Sequence, residues 1–220
     1  MCDVAAEGSS PVKSPAKGRA RREVIISLVP TGRQVVEVGC DHGHTAAALG
    51  AIATERRRHR LPARRDLRLV VADGLRCFRA VDVAVITGIG AWQIGHILAT
   101  GPRPQVAVVH APDRPAWLRR WCADNGWRID AERLAPEGRR FAEVMRVVPG
   151  SEPNQGLTLA FGPKIPEDPL AHAHARQLVE YWSSVLARVE GLNAVKSAEA
   201  REWLAFLERF LARDGTQSQR

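Results

Sequence analysis

The stretch Val35-Val36-Glu37-Val38-Gly39-Cys40-Asp41-His42-Gly43-His44 decides the fold. Residues 34–38 are rich in β-branched side chains, which suit a buried strand. Gly39 and Gly43 bracket a turn. Glycine there permits positive φ and lets a ligand come close to the backbone. Residues 45–49 then read as a helix whose free N–H groups would face that ligand. A glycine turn after one strand is a weak signal by itself, so the segments on either side must say what the ligand is.

The same grammar repeats downstream. A second strand is expected over 51–54, with Glu55 at its C-terminal end, and a third over 67–72, ending in Asp73-Gly74. A fourth, 81–87, runs into Gly88-Ile89-Gly90 and a helix over 91–99. A fifth, 105–109, ends in His110-Ala111-Pro112-Asp113, and a helix over 115–125 is stopped by Gly126. Two more strands are predicted at 141–148 and 157–161, joined by a loop too short for a helix and so forming an antiparallel edge hairpin. Upstream, 22–29 reads as the end of a lead-in helix. Strands alternating with helices imply a parallel sheet covered by helices. The expected fold is α/β, a Rossmann-like doubly wound sheet of seven strands. Ligands in such sheets sit at the C-terminal strand ends, where Gly39, Glu55, Asp73, Gly88 and His110 all fall.

The texture changes at Pro169. Leu178, Trp182, Val185, Val189 and Leu192 recur at steps of four and three, the seam of a coiled coil. A second helix carries Trp203, Leu207 and Phe210, and Gly191-Leu192-Asn193 starts the turn between the two. The pair is expected to pack as an antiparallel hairpin. The domain reading is a disordered tail over 1–20, an α/β domain over 21–166 and a C-terminal α-helical coiled-coil hairpin over 167–213, with frayed residues after it.

Composition narrows the function classes. Hydrophobic residues make up 45% of the 220, enough for a packed core. No apolar run is as long as a bilayer span, and the N-terminal segment lacks the apolar core of a secretory signal, so a soluble cytoplasmic protein is expected. Cys2, Cys40, Cys77 and Cys122 are scattered and form no CxxC pair, which argues against a disulfide framework or zinc knuckle and fits a reducing cytosol. Net charge is +8 with a pI near 10.1. That suits a polyanionic partner such as nucleic acid; the bland alternative is a genome that favours arginine. The arginines at 56, 57, 58, 60, 64 and 65 form a run that would grip phosphates, or simply a solvated loop.

Glu55 lies eighteen positions after Glu37. An acid at about that distance, ending the second strand, is placed to accept hydrogen bonds from a ribose diol. Both NAD and S-adenosylmethionine present one. The turn lacks the G-x-G-x-x-G spacing that cradles a pyrophosphate, which S-adenosylmethionine does not have, and Asp73 can accept from an adenine amino group. The set favours S-adenosylmethionine. Taken singly, Glu55 and Asp73 could each be a helix cap or a surface acid.

At this point the chain resembles a known family. Glu37-Val38-Gly39-Cys40-Asp41-His42, Gly50-Ala51-Ile52-Ala53-Thr54-Glu55, Ala72-Asp73-Gly74-Leu75 and Thr87-Gly88-Ile89-Gly90 are similar to segments of the bacterial tRNA (adenine(22)-N1)-methyltransferases. So are Trp117-Leu118 followed by Asn125-Gly126, and Phe161-Gly162-Pro163 before a helical C-terminus. The resemblance runs from about Val24 to the end. It implies a class I methyltransferase domain over 21–166, S-adenosylmethionine as cofactor, and tRNA as the partner, methylated at N1 of an adenosine. It also implies Asp41 as the catalytic carboxylate, which could equally be the N-cap of the next helix. Glu37, Gly39, Asp41, His42, Glu55, Asp73, Gly74 and Gly88 become candidate cofactor contacts, and Gly90, His110, Pro112, Arg56 and Arg57 candidate substrate contacts.

The chain also departs from that family. His110-Ala111-Pro112-Asp113 stands where it has a Gln-Pro-Asn-like segment, and His44 replaces an aromatic residue of the first turn. The stretch between Glu55 and Asp73 is short, so the helix that usually flanks the cofactor's adenine is expected to be truncated. No metal is expected: Asp41, His42 and His44 are adjacent on a tight turn with no fourth partner. His172 and His174 point to different sides of a helix, and Cys40 lacks an activating base. Trp182 and Trp203 read as coiled-coil packing. The hairpin is a second RNA clamp or a dimerisation surface, and monomer and homodimer both stay open. The rivals are a methyltransferase of this fold acting on another RNA site or a small molecule, a non-catalytic RNA-binding module, and an NAD enzyme.

Overall fold

A computed structural model describes residues 18–213. Most of the expected N-terminal tail, and residues 214–220, lie outside them. The elements run α1 (Arg19–Leu28), β1 (Val35–Val38), α2 (His44–Leu49), β2 (Ile52–Glu55), β3 (Arg68–Val71), β4 (Val83–Thr87), α3 (Ala91–Thr100), β5 (Val106–His110), α4 (Pro115–Asp124), β6 (Trp127–Glu137), β7 (Arg140–Pro149), α5 (Gly156–Phe161), α6 (Ala171–Val189) and α7 (Ala194–Arg213). The seven strands form one sheet in the order β3-β2-β1-β4-β5-β7-β6. The first five in that order are parallel, and β7 joins β5 and β6 antiparallel.

Every residue of β1 is buried, and period-2 alternation assigns each to a face. Val36 and Val38, with Ala84 and Ile86 of β4, pack under α3 and α4 through Ile94, Leu98 and Leu118. Val35, with Val83 and Val85, packs under α1 and α2 through Ile25, Leu28 and Ala46. Ile94 and Leu98 are four apart on one helix face, and burying each contributes about 1.5–3 kcal/mol. The chain leaves β1 for β2 on one side and β4 lies on the other. The loops after β1 and β4 therefore face each other across the point where strand order reverses, the crevice that such sheets offer a ligand.

Two sequence expectations are corrected. Residues 157–161 are not a strand but helix α5, whose Leu159, Ala160 and Phe161 are buried. The partner of β7 is instead β6, joined to it at Gly138-Arg139. A register shift between Ile129 and Ala131 breaks the alternation: Trp127 and Ile129 are buried before it, and Glu132 and Leu134 after it. A bulge of this kind hides a strand from a period-2 reading.

The C-terminal helices form the expected hairpin. Trp182 and Trp203 stack with centroids 5.5 Å apart, and Asn193 Oδ1 accepts the Lys196 N–H at 2.9 Å where α7 begins. Leu192 is not part of the seam; it is 84% exposed in the turn. The hairpin base packs on the sheet domain, with Ala171, Trp203 and Leu207 against Leu134, Phe161 and Ile165. Beneath it Arg119 is fully buried. Its Nε donates to Glu132 at 2.7 Å, Nη2 to Glu143 at 2.7 Å and Nη1 to the Ala160 carbonyl at 3.0 Å. Burial alone would lower this guanidinium's pKa, but Glu132 and Glu143 beside it raise it above the ordinary value. Gly162, at φ 119°, makes room for the cluster: a Cβ there would stand 2.8 Å from Arg119 Nη2 and 2.9 Å from Glu132 Oε2.

Candidate active site

Two clefts open at the C-terminal ends of the parallel strands. One, of about 730 Å³, runs over the turn 39–45 and reaches Arg21 and Arg22 of α1 and Gly88 after β4. The other, of about 450 Å³, lies between the ends of β2 and β3 and the start of α3, lined by Glu55, Ala72, Asp73, Gly74 and Trp92. Gly39, Glu55, Arg60 and Ile89 line both.

The turn is held from below. The backbone N–H groups of Gly39 and Cys40 donate to the Thr54 carbonyl at 2.9 and 3.2 Å, and Gly43 N–H closes on the Cys40 carbonyl at 2.6 Å. Gly43 has φ 68° and caps α2, and a Cβ there would come within 2.2 Å of Leu67 Cδ1. Gly43, not Asp41, therefore holds the N-cap position, and it does so without a side-chain bond. Asp41 is left pointing outward: its φ is 45°, its side chain is 84% exposed, and its Oδ2 lies 3.7 Å from His42 Nε2. Helix α2 has only six residues, so its dipole adds little at the turn.

Glu37 shares the face of Val35 and points beneath α2. It is 5% exposed, and its Oε2 has no hydrogen-bond partner among the described residues. Burial pushes its carboxyl up to about 7, against the pull of the Ala46 backbone and the Thr45 side chain. A buried, unpartnered carboxylate oxygen on a residue that lines the cleft suits a cationic group such as an α-ammonium.

In the second cleft, Glu55 ends β2. One of its oxygens accepts the Arg57 backbone N–H at 3.0 Å. Asp73 follows β3 and is paired with Arg76 at 3.3 Å. Neither acid caps a helix, and both line this cleft beside apolar Ala72, Ile89 and Ile97. Acceptors at two strand ends flanking an apolar slot fit the diol and base of an adenosyl group. Between β2 and β3 there is only a 3-10 turn, Arg58–Arg60. The truncation expected there leaves Arg56 and Arg60 as the cleft wall.

Of the thirteen candidate residues, Glu37, Gly39, Asp41, His42, Glu55 and Gly88 line the first cleft, and Gly39, Glu55, Asp73, Gly74 and Arg56 the second. Arg57 is exposed beside them and contributes its backbone N–H to Glu55. Gly90, His110 and Pro112 line neither cleft. Asp113 binds the Ala91 N–H at 2.9 Å and ties the loop after β5 to the start of α3. His110 is 2% exposed, on the face of Val108 under α1. Burial, with Arg21 nearby, lowers its pKa to about 4, so it is a neutral core imidazole at ordinary pH rather than a surface reaching for a base. Arg64, part of the basic run, is bound to Asp66 at 2.5 Å.

Arg21, Arg22, Trp92, Gln93 and His96 also line the clefts and were not singled out from the sequence. For Trp92 a signal existed. The buried stripe of α3 is Ala91, Ile94, Gly95 and Leu98, and Trp92 falls outside it. Among the described residues no group of three or more His, Cys, Asp or Glu side chains could hold a metal ion, and no helix is long and apolar enough to cross a membrane.

Sheet order, antiparallel edge hairpin and strand-end acids define the class: a Rossmann-like class I methyltransferase fold. Comparison with known proteins gives the family. Residues 45–213 match the family model described as TrmK: tRNA (adenine(22)-N(1))-methyltransferase. The chain belongs to this family of S-adenosylmethionine-dependent tRNA (adenine-N1)-methyltransferases. The match begins just after the Asp41 turn. A Streptococcus pneumoniae tRNA (m1A22) methyltransferase candidate is similar in structure, with a TM-score of 0.77 and 22% identity over 87% of this chain and 98% of that one. TrmK from M. capricolum, in complex with S-adenosyl-homocysteine, gives 0.74 and 15% over 87% and 96%. The B. subtilis M1A22 tRNA methyltransferase TrmK gives 0.72 and 19% over 87% and 97%. No curated protein matches the chain.

Proposed function

We propose that the chain methylates N1 of the adenosine at position 22 of tRNA, with Asp41 as the catalytic carboxylate. The observation that carries this reading is a pair of adjoining clefts that share Gly39, Glu55, Arg60 and Ile89, with Glu37 and Asp41 on one side and Asp73 on the other, in a chain of the TrmK family. Glu37 would hold the cofactor's amino group, Glu55 its ribose and Asp73 its adenine amine. When bound, S-adenosylmethionine supplies an electrophilic methyl group on a sulfonium.

The rest falls to the chain's own residues. Adenine N1 already carries a lone pair, so no base is needed before attack. Rate must come from in-line positioning and from balancing the positive charge that develops on the ring. Asp41 stands on the open lip of the larger cleft, where a carboxylate can face the exocyclic amine, balance that charge and take up the excess proton afterwards. The target base must be turned out of its stack to enter. Gly88 and Ile89 would floor its pocket, and Arg21, Arg22 and Arg60 would draw in the phosphates around it. His110 has no direct part in this account; it packs the end of β5 beneath α1.

Calorimetry with S-adenosylmethionine and NAD tests the cofactor assignment. S-adenosylmethionine should bind in the micromolar range and NAD should not. An absence of S-adenosylmethionine binding at high micromolar concentration would remove the proposal.

A further inference from the structure

Trp92 is 66% exposed, an unusual position for an indole on a helix that buries its other large apolar side chains. It is the second residue of α3. Its ring lies on Trp117 of α4, with centroids 5.2 Å apart and planes 13° from parallel. Trp117 is itself packed against the core. The lower ring is therefore anchored, and the upper one is held flat with a face to solvent. Trp92 shares the mouth of the smaller cleft with Arg56, Arg60 and Gln93. The side chains of Arg56, Arg57, Arg58 and Arg60 have no acidic partner among the described residues, so their charge is available to a polyanion.

We propose that the Trp92–Trp117 pair is a stacking platform for an unpaired base of the substrate tRNA next to the target adenosine. The proposal rests on the tRNA methyltransferase reading above. Turning one nucleotide out of its stack leaves a neighbouring base with a bare face, and RNA-binding proteins cover such faces with aromatic rings. Stacking on an indole is tolerant of base identity. A pre-aligned pair spares the cost of ordering a mobile side chain on binding. Arginines across the cleft mouth supply the complementary charge for the phosphates on either side of that base.

The test compares wild type, Trp92→Ala, Trp92→Phe and Arg56→Gln. Anisotropy with a labelled, unmodified tRNA transcript gives the tRNA Kd at several salt concentrations, and calorimetry gives the S-adenosylmethionine Kd. Trp92→Ala should raise the tRNA Kd roughly tenfold, the order expected for losing one base–aromatic stack. Because Trp92 also lines the smaller cleft, the S-adenosylmethionine Kd can shift too, but by clearly less than the tRNA Kd, and the salt slope should be unchanged, because stacking releases no counterions. Trp92→Phe should recover most of the loss, and Arg56→Gln should flatten the salt slope. Unchanged tRNA affinity in Trp92→Ala, with an active wild type, overturns the platform alone. An equal loss of S-adenosylmethionine affinity would instead assign Trp92 to the cofactor's adenine. Wild-type protein that does not bind tRNA overturns the platform and the function together.

Discussion

Asp41 occupies the left-handed region at φ 45°, which asparagine tolerates at least as well as aspartate. Asp41→Asn therefore removes the charge and keeps the turn. It should retain S-adenosylmethionine affinity and lower kcat by about 10²–10⁴, the range for losing a positioned acid–base group. Wild-type turnover in that variant would remove Asp41 from the mechanism. Glu37 makes a separate prediction. Its folded-state pKa is raised from an ordinary 4.5 to about 7, so its stabilising effect is full below about 4.5 and is lost as pH rises through about 7. A bound ammonium would favour the ionised form and release the proton. S-adenosylmethionine affinity should thus climb between about pH 5 and 7, by at most tenfold per unit, and level off above. Glu37→Gln should bind more weakly with a flat profile over that range, and calorimetry across pH measures both. That Glu37, Asp41, Glu55 and Asp73 line the clefts was legible in the sequence, because each lies near the C-terminal end of a strand or in the turn after it. The α3 stripe left Trp92 off the buried face, but nothing in a linear sequence says which such residue finds a neighbour's ring to lie on.

Elements were legible where one period rules from end to end. The five parallel strands, and the helices after β4 and β5, lie where their apolar patterns put them. The edge was misread for two physical reasons. Leu157-Thr158-Leu159-Ala160-Phe161 is a short apolar run, which periodicity alone cannot assign to strand or helix. In β6 the shift at Ile129/Ala131 turns Glu132 inward, and the same strand then carries Pro136, which reads as a breaker. The inward turn has a structural use, since it delivers Glu132 to Arg119. A buried pair of this kind is costly to break because the remaining charge is stranded. Gly162→Ala would drive a methyl group into it at a φ of 119°. Overpacking of this sort costs about 1–3 kcal/mol, which corresponds to a Tm lower by roughly 2–12 °C for a chain of this size. Thermal denaturation of the variant would show it, and an unchanged Tm would mean that the hairpin junction repacks freely.

At the scale of the molecule, one sheet brings Glu37, Glu55, Asp73, the Asp41 turn and a basic rim to the C-terminal ends of its parallel strands. The C-terminal hairpin is fixed to the antiparallel side through Phe161, Trp203 and Leu207. The charge of +8 hinted at a polyanionic partner. It could not say where that partner sits, because Arg21 and Arg22 reach the cleft only once α1 folds over the sheet. The most direct test of the account incubates the protein with unmodified bulk tRNA and methyl-labelled S-adenosylmethionine, digests the RNA and identifies the labelled nucleoside. The label should appear in 1-methyladenosine, and be lost from a transcript in which A22 is replaced by G. Label in any other nucleoside, or none in tRNA at all, would contradict the account.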